Sequence, residues 1–381
     1  MNVQLFELLI QEPLWAIPLV YILAFIIQMV YYLGVYARIW FYREKPEPRE
    51  FPPVSVIICA RNEEENLEAH LPAVLEQDYP DFEVIVVNDA SSDDSDMVIT
   101  RLQQTYKHLL TTEIKNDRKF THGKKLAATL GIKKAKHDWV LFTDADCYPA
   151  DKNWICSMAK NFDYKTSIVL GYGGYKARKG MLNTLIRYDT LTIALQYLTY
   201  ALAGFPYMGV GRNLAYRKTL FYDNKGFAGH YHLNSGDDDL FVNKTAGKHN
   251  TRVQISRESS VVSEPHRSFY QWFKQKRRHL STAFHYRKKT KWRLLTEIYS
   301  RIIFYVFFVL SLIFYPEYFV YFIGIFAFRM IIQLFVYKNF IKRLGEKYFL
   351  LLSIFYDILI PVINFIAITS NKIYSNNNKW R

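Results

Sequence analysis

Apolar residues are concentrated toward the two ends of the chain. Leu14 to Phe41 is almost free of charge, and residues 15–36 as a helix would span roughly 33 Å, enough to cross a bilayer core. Glu7 and Glu12 precede this segment, and neither a basic start nor a clear cleavage pattern marks it as a removable signal peptide. We therefore predict that residues 1–42 form a transmembrane anchor.

The C-terminal apolar region, residues 301–370, predicts two or three further spans. The candidate segments are Arg301–Phe314, Tyr318–Tyr337 and Phe349–Ile368. Asp357 and Pro361 interrupt the last segment, so it is either a further span or a helix that lies in the membrane interface. A polar tail, residues 371–381, follows.

Between the two apolar ends, short apolar runs alternate with amphipathic segments. The runs predict strands at Val54–Cys59, Glu83–Val87 and Trp139–Phe142, and the amphipathic spacing predicts helices at Glu63–Gln77, Ser91–Tyr106 and Leu126–Ala135. This alternation is typical of an α/β domain with a mostly parallel sheet flanked by helices, which binds ligands at the carboxyl ends of its strands. We assign residues 54–280 to this domain and the proline-rich residues 43–53 to a linker.

The apolar segment Leu182–Phe205 leaves two interpretations open. It is either a helix at the membrane surface that guides a lipid acceptor or a helix of the domain core.

Charge favours a cytosolic position for this domain. The chain has 49 Lys and Arg against 35 Asp and Glu, a net charge of +14. Arg38, Arg43 and Lys45 follow the anchor, and cytoplasmic flanks are enriched in such residues. Residues 281–300 form a basic juxtamembrane segment that anionic lipid would attract, whereas nucleic acid is the competing but less favoured partner. Three cysteines without a disulfide or CxxC pattern indicate a reducing compartment.

The candidate chemistry begins with Asp144 and Asp146, which follow an apolar strand. Two carboxylates one residue apart form either a divalent metal site or a solvated turn.

Five motifs in order separate these two interpretations. They are SVIICARNEEENL at 55–67, NDASSDDS at 88–95, TDADC at 143–147, GDDDL at 236–240 and QKRRH at 275–279. The series resembles membrane-bound glycosyltransferase family 2. The resemblance implies the GT-A nucleotide-diphosphosugar transferase fold with transmembrane helices at both ends, and inverting transfer.

The resemblance also implies donor-binding residues. They are Ala60, Glu63, Asp89, Lys125 and Asp144, and Asp146 with Asp144 matches the DxD motif that holds Mg²⁺ or Mn²⁺. Glu63 has the alternative of a helix-start residue that the helix dipole favours. Asn88 stands where the family often has a second acid, which leaves the nucleobase open.

The resemblance implies Asp237 as the general base, with Asp238 as the alternative because Gly236 replaces the family's usual Glu. It implies diphosphate or acceptor roles for a further set of residues. They are Gln275, Arg277, Arg278, His279, Gly211 and Asn213, where His279 replaces the family's Trp. Trp272 would either substitute for that Trp or anchor the segment at the interface.

The function that these features predict is transfer of a sugar from a nucleotide-diphosphate sugar to a glycan or lipid-linked acceptor. The chain would be a multi-pass protein of the inner membrane, with its catalytic domain in the cytosol. The alternatives are a processive polysaccharide synthase of the same fold, a transporter, and a sugar-nucleotide-binding membrane protein without catalysis.

Overall fold

The computed structural model describes residues 13–115, 123–233, 235–347 and 350–373. The α-helices are α1 (Ala16–Tyr31), α2 (Arg38–Phe41), α3 (Glu64–Leu75), α4 (Ser95–Thr105), α5 (Lys124–Lys134), α6 (Trp154–Ala159), α7 (Met181–Leu202), α8 (Lys218–Asp223), α9 (Asp239–Thr245), α10 (Phe269–Thr282), α11 (Lys288–Phe314), α12 (Phe319–Leu344) and α13 (Leu352–Ile373). A π-helical turn, Tyr32–Tyr36, lies between α1 and α2.

The strands form two sheets. They are β1 (Val54–Ala60), β2 (Phe82–Asp89), β3 (Leu109–Ile114), β4 (Trp139–Asp144), β5 (Cys147–Pro149), β6 (Ile168–Leu170), β7 (Gly173–Tyr175), β8 (Leu214–Arg217), β9 (Thr251–Val253) and β10 (Val261–Ser263). Seven strands form the main sheet in the order β3-β2-β1-β4-β8-β6-β9, and β5-β10-β7 form a small second sheet.

The register of the main sheet brings its functional ends together. Strands β1 to β4 run parallel, and β8 is antiparallel to both of its neighbours. Ala60 pairs with Asn88 and Cys59 pairs with Asp144, so the polar residues that follow β1, β2 and β4 emerge at one edge. The prediction of a mixed α/β domain with flanking helices is confirmed.

The middle of this sheet is covered on both faces. All seven residues of β1 are buried, which is the usual state of a parallel strand between helix layers. On one face α5 comes so close that a Cβ on Gly131 would lie 2.5 Å from Cγ2 of Ile57. The close approach fixes the position of the N-terminus of α5 relative to the strand ends.

Helix α7 belongs to the core. Thirteen of its 22 residues are buried, which favours the core interpretation of this apolar segment. Its Asp189 accepts hydrogen bonds from Lys276 of α10 at 2.6 and 2.8 Å. Its Arg187 pairs with Glu346, which lies between α12 and α13.

Four helices are long and apolar enough to cross a membrane. The candidate spans are Ala16–Phe41, Lys288–Phe314, Pro316–Leu344 and Leu352–Ser370. Helix α11 starts at Lys288 and continues through residue 300, so the predicted limit between a basic segment and the first C-terminal span falls inside one helix. Most of the predicted tail, residues 374–381, lies outside the described residues.

Asp357, the charged residue that interrupts the last predicted span, is buried in a network of ion pairs. Its two oxygens lie 3.0 Å from Nη1 of Arg301 and 2.7 Å from Nη2 of Arg329. Glu297 pairs with Arg301 one turn away, and Tyr305 donates to Asp357 at 2.7 Å. These two acids balance the two guanidinium groups, so a charged residue in α13 is compatible with an apolar surrounding.

Candidate donor and catalytic site

Acidic and basic side chains meet where β1, β2 and β4 end. Asp89 is fully buried at the end of β2, and an NH1 atom of Arg61 lies 4.0 Å from its carboxylate. Asp144 ends β4. Lys124, Asp144 and Asp237 border one small cavity, so three segments that are far apart in sequence contribute to a single site.

Asp144 and Asp146 offer oxygens suited to a hard divalent cation. One ligand atom each of Asp144, Asp146 and Cys147 lies within 4.8 Å of the others. Burial holds the pKa of the Cys147 thiol well above its usual value, and its Sγ lies 3.2 Å from Asp146 as a donor. Because a protonated thiol is a poor ligand for Mg²⁺ or Mn²⁺, the two carboxylates are the residues that would hold such an ion.

The structure does not support Lys125 as the donor-site lysine. The Lys125 ammonium group points away from the acids and donates to the backbone carbonyl of Leu233 at 2.9 Å and to that of His230. Lys124 lies in the site instead, with Nζ 2.6 Å from Asp144 and 3.6 Å from Asp237. A single ammonium group thus bridges the DxD carboxylate and the predicted base.

The three consecutive acids at the start of α9 have different environments. Asp239 is buried and accepts hydrogen bonds from Tyr286 at 2.8 Å and from Thr282. Asp238 accepts from the backbone amides of Gly211 and Asp239, both at 2.7 Å. Asp237 faces Lys124 and has no hydrogen bond to its carboxylate within the described part of the chain.

Arg212 is a further cation of the site, and it lies between the predicted site residues Gly211 and Asn213. Its guanidinium group lies 4.6 Å from the ring centre of Tyr175 and donates to the hydroxyl of that tyrosine at 3.3 Å. Gly173 makes room, since a Cβ there would lie 2.2 Å from Cδ of Arg212. The Nη1 atom of Arg212 is buried without a hydrogen-bond partner in the described ranges, so one donor of this guanidinium group is available to a ligand.

Helix α10 brings its motif to the same place. Gln275 accepts from the Tyr175 hydroxyl at 3.1 Å, which links it to Arg212. The Nε atom of Arg278 is buried and has no hydrogen-bond partner among the described residues. His279, the last residue of the motif, is exposed. Arg277 donates to the Ser370 carbonyl of α13 at 3.4 Å, so its side chain is directed toward α13.

Trp272 is not available as an aromatic platform. Only 3% of its surface is exposed, and its ring packs against Phe269. Neither of the two predicted roles, a sugar platform or an interfacial anchor, matches this burial.

Asn213 and Gly211 differ in their access to the site. Asn213 is fully buried, and its amide group is used by Trp154, Tyr172 and Ser259. The predicted contact of Asn213 with substrate is therefore not supported, because its side chain stabilises the fold. Gly211 remains at the site, where a Cβ would lie 3.2 Å from Lys124 Nζ.

The first donor loop also reaches this edge. Ala60 is buried at the end of β1, so it offers only its backbone. Burial raises the pKa of Glu63 to about 7, a rise that Asn66 opposes and the nearby Asp146 supports. At neutral pH this carboxyl group is therefore poised between its two protonation states.

Opposing charges tune the other acids. Burial acts to raise the pKa of Asp144, yet Lys124, with Arg212 and Arg278 farther off, holds it below its usual value. Burial raises the pKa of Asp238 to about 7, and the charges of its acidic neighbours add to this rise. The site thus keeps Asp144 ionised and surrounds it with cations suited to a diphosphate.

Residues 55–222 match the family model described as Glycosyl transferase family 2. Residues 55–222 therefore form a glycosyl transferase family 2 domain. The matched residues contain Lys124, Asp144, Asp146 and Arg212 but end before Asp237. The prediction of the family from five short motifs is thereby confirmed.

Curated relatives of this family 2 domain include two staphylococcal transferases. The poly-beta-1,6-N-acetyl-D-glucosamine synthase of Staphylococcus epidermidis is 28% identical over 130 residues, which are 32% of this chain and 30% of that protein. The poly(ribitol-phosphate) beta-N-acetylglucosaminyltransferase TarS of Staphylococcus aureus is 26% identical over 237 residues, 60% of this chain and 37% of that protein. The matches thus cover about a third of the length of these relatives.

A solved structure agrees with the fold of the whole chain. The mannosyltransferase PcManGT from Pyrobaculum calidifontis, in complex with GDP-Man and Mn²⁺, superposes with a TM-score of 0.60 at 19% identity. The superposition covers 96% of this chain and 100% of the other. The family 2 domain therefore has the GT-A fold together with apolar helices on both sides of it.

Proposed function

We propose that this protein transfers a sugar from a nucleotide-diphosphate sugar to a glycan or lipid-linked acceptor at the cytosolic face of the inner membrane, with inversion. The observation that carries the proposal is the convergence of Asp144, Asp237 and Lys124 at the carboxyl ends of the strands. A donor bound there would present its diphosphate to cations and its anomeric carbon to a carboxylate.

In this reaction Asp237 removes the proton of the acceptor hydroxyl as that oxygen attacks the anomeric carbon. The bond from this carbon to the diphosphate breaks, and its electron pair leaves with the phosphate oxygen. Lys124, Arg212 and Arg278 offer cationic donors to this leaving group. Mg²⁺ or Mn²⁺ bound by Asp144 and Asp146 would supply further neutralisation of the leaving charge.

The helices on both sides support a membrane-linked acceptor. Helix α10, which carries Arg278, contacts the candidate span α13 through Arg277 and Ser370. Basic residues follow the first candidate span and begin the second, as expected of cytosolic ends. An acceptor anchored in lipid would thus reach the site from the membrane surface.

The names of the curated relatives favour a second candidate, a processive polysaccharide synthase of the same fold. The two functions differ in product length. A long polymer formed without added primer would support the synthase, and one or a few added sugars on an acceptor would support single transfer.

The test is nucleotide release by the purified full-length protein with UDP-GlcNAc and GDP-Man, each with and without acceptor lipid extract. We expect Asp237→Asn to lower turnover by about 10²–10⁴-fold, the range of general-base catalysis. We expect Arg212→Met to lower it by about 10²-fold or more, as for loss of one donor to a developing charge. After chelator treatment and removal of the chelator, added Mg²⁺ or Mn²⁺ should restore turnover of the parent. The Asp146→Ala variant should not show this response.

Matched controls remove the same kinds of charge from the exposed surface of α4. Asp96→Asn and Arg101→Met should keep turnover within twofold of the parent, because both side chains are exposed on this helix. Undiminished turnover by Asp237→Asn would remove this residue from the base role, and binding of a nucleotide sugar without any turnover would indicate a sensor.

A further inference from the structure

A second cavity lies beside β9, the strand at one edge of the main sheet. It has a volume of ≈ 460 Å³, within the range of small-ligand pockets. Its walls come from α2 and the residues after it, the C-terminal end of α7, and β9. It shares no lining residue with the cavity at Asp144, and three strand spacings, about 14 Å, separate β9 from β4.

The lining of this cavity is strongly cationic. Five basic side chains border it and no acidic side chain does; they are Arg38, Arg43, Lys45, Lys248 and Arg252. Only Lys45 forms an ion pair within the described ranges, with Asp163 at 2.6 Å. The other four lack a carboxylate partner there, so their combined charge is available to an anion.

The cavity is built so that these cations can converge. Gly204 has a φ of +88°, and a Cβ there would lie 3.2 Å from the side chain of Lys248. The Lys248 stem can therefore lie against the backbone at the end of α7. One nitrogen of Arg252 donates to the carbonyls of Thr251 at 3.0 Å and His249 at 3.5 Å, which leaves the other nitrogens of the guanidinium group for a ligand.

An apolar wall continues from the cations toward the candidate spans. Phe41 ends the first span with 77% of its surface exposed, and Leu202 lines the cavity beside it. Three residues after Leu202, the centre of the Phe205 ring lies 4.0 Å from the guanidinium group of Arg293, and the Arg293 carbonyl accepts a hydrogen bond from Tyr31 of α1. The cavity therefore lies level with the cytosolic ends of two candidate spans.

We propose that this cavity binds the phosphate headgroup of an anionic membrane lipid. The phosphate diester would lie among Arg43, Lys248 and Arg252, and the glycerol and first acyl carbons would lie along Phe41 and Leu202. A soluble phosphate ester shares the headgroup chemistry but not the acyl part. The inference rests on the proposed membrane placement and is independent of the catalytic chemistry.

The test is native mass spectrometry of the full-length protein in detergent, titrated with phosphatidylglycerol or with phosphatidylcholine of the same acyl chains, without donor sugar. We expect the protein to retain phosphatidylglycerol on the order of a hundredfold better, since each of the three basic residues near an anionic headgroup contributes ~1 kcal/mol. The variant Arg43→Gln/Lys248→Gln/Arg252→Gln should lose that preference.

A matched variant removes three exposed cations from elsewhere in the domain, Lys107→Gln/Lys133→Gln/Lys134→Gln, and should keep it. Arg43→Gln alone should weaken phosphatidylglycerol retention by roughly fivefold, which keeps the test informative if the triple variant unfolds.

Three results would overturn the proposal: equal retention of the two lipids by the parent, equal loss in both triple variants, or full displacement of the lipid by glycerol 3-phosphate. The last result would assign the cavity to a soluble phosphate ester. Because no turnover is measured, an inactive protein that still prefers phosphatidylglycerol would refute the proposed function and leave the lipid site standing.

Discussion

At the scale of single residues, Lys124 and Lys125 are adjacent in the chain, yet their ammonium groups lie in different surroundings. Lys124 bridges Asp144 and Asp237, whereas Lys125 is buried and holds the carbonyls of the loop before α9. The first contact is part of the candidate site, and the second stabilises the fold.

The same substitution at the two lysines should therefore affect turnover and stability in opposite ways. Lys124→Met should lower turnover by about 10²-fold, by removing a cation from the leaving diphosphate, and leave the thermal unfolding midpoint nearly unchanged. Lys125→Met should lower that midpoint, because it leaves two backbone carbonyls without their donor. Parallel turnover and unfolding measurements check this, and the reverse assignment would show that Lys125 is the donor-site lysine.

The raised pKa of Glu63 predicts that metal binding releases a proton. This pKa of about 7 reflects burial first and the charge of Asp146 in addition, so a dication beside Asp146 would favour the ionised carboxylate. Binding of Mg²⁺ with nucleotide near pH 7 should release protons, and the apparent metal affinity should rise as pH rises through 7.

Calorimetry in two buffers of different ionisation enthalpy measures this release. Glu63→Gln should lose part of it, whereas the surface control Asp96→Asn should not. A heat of binding that is the same in both buffers for the parent protein would contradict the prediction.

The position of a polar residue at the site was predictable from sequence only where a motif lies directly at the end of a strand. Asp144 and Asp146 are such a case, because Asp144 ends β4 and Asp146 follows it. Arg212 and Asn213 are not, since they are neighbours in one short turn, and only the folded chain shows that Arg212 faces the acids while Asn213 is buried beneath them. Trp272 likewise looks exposed in a basic, polar helix but packs inward.

At the scale of elements, the helix that carries Lys124 is positioned by its contact with the sheet. Gly131 lies two turns along α5, where any Cβ would meet Ile57 of β1 at 2.5 Å. A side chain at this position would have to push the helix away from the strands, and the N-terminus of α5 would move with it.

Gly131→Val should therefore lower both stability and turnover. We expect a loss of about 1–3 kcal/mol in the free energy of unfolding, the usual cost of overpacking a core contact. Denaturant titration and donor turnover measure the two effects. Gly247→Val is the control, since its nearest neighbour is an Asn250 oxygen 3.7 Å away. An unchanged free energy of unfolding would show that the helix and sheet tolerate the added volume.

Most elements followed from the sequence because their apolar residues have a clear period. Strands β1, β2 and β4 are continuous buried runs, and the helices around them differ from the prediction by a few residues at their ends. Strand β3 was missed because LLTTEI is polar in its middle, as suits an edge strand. The start of α11 was missed because its first turns are basic rather than apolar.

At the scale of the whole molecule, the Asp357 network joins the candidate spans to one another. Arg329 of α12 also donates to Gln28 of α1 at 3.1 Å, and Arg301 brings in α11. Four helices are thus linked through buried polar groups, and water cannot replace a partner that is lost.

Asp357→Asn should destabilise the protein strongly, because among the described residues it leaves the buried Arg329 without a carboxylate and Arg301 with Glu297 alone. We expect a loss of about 3–5 kcal/mol, measured as thermal or denaturant unfolding in detergent micelles. Adding Arg329→Gln should cost less than the sum of the single effects. The exposed Glu317→Gln is the control, and equal unfolding midpoints for Asp357→Asn and the parent would contradict a structural role for the network.

Helix α7 joins the two parts of the molecule as firmly as the network joins the spans. One of its residues holds Lys276, two positions before Arg278, and another holds Glu346 at the root of the last helix. In the proposed membrane placement, these contacts would hold the crevice at a fixed distance from the bilayer. An acceptor would then be selected by the depth at which its hydroxyl group is held as much as by its shape, since that hydroxyl must come within reach of Asp237.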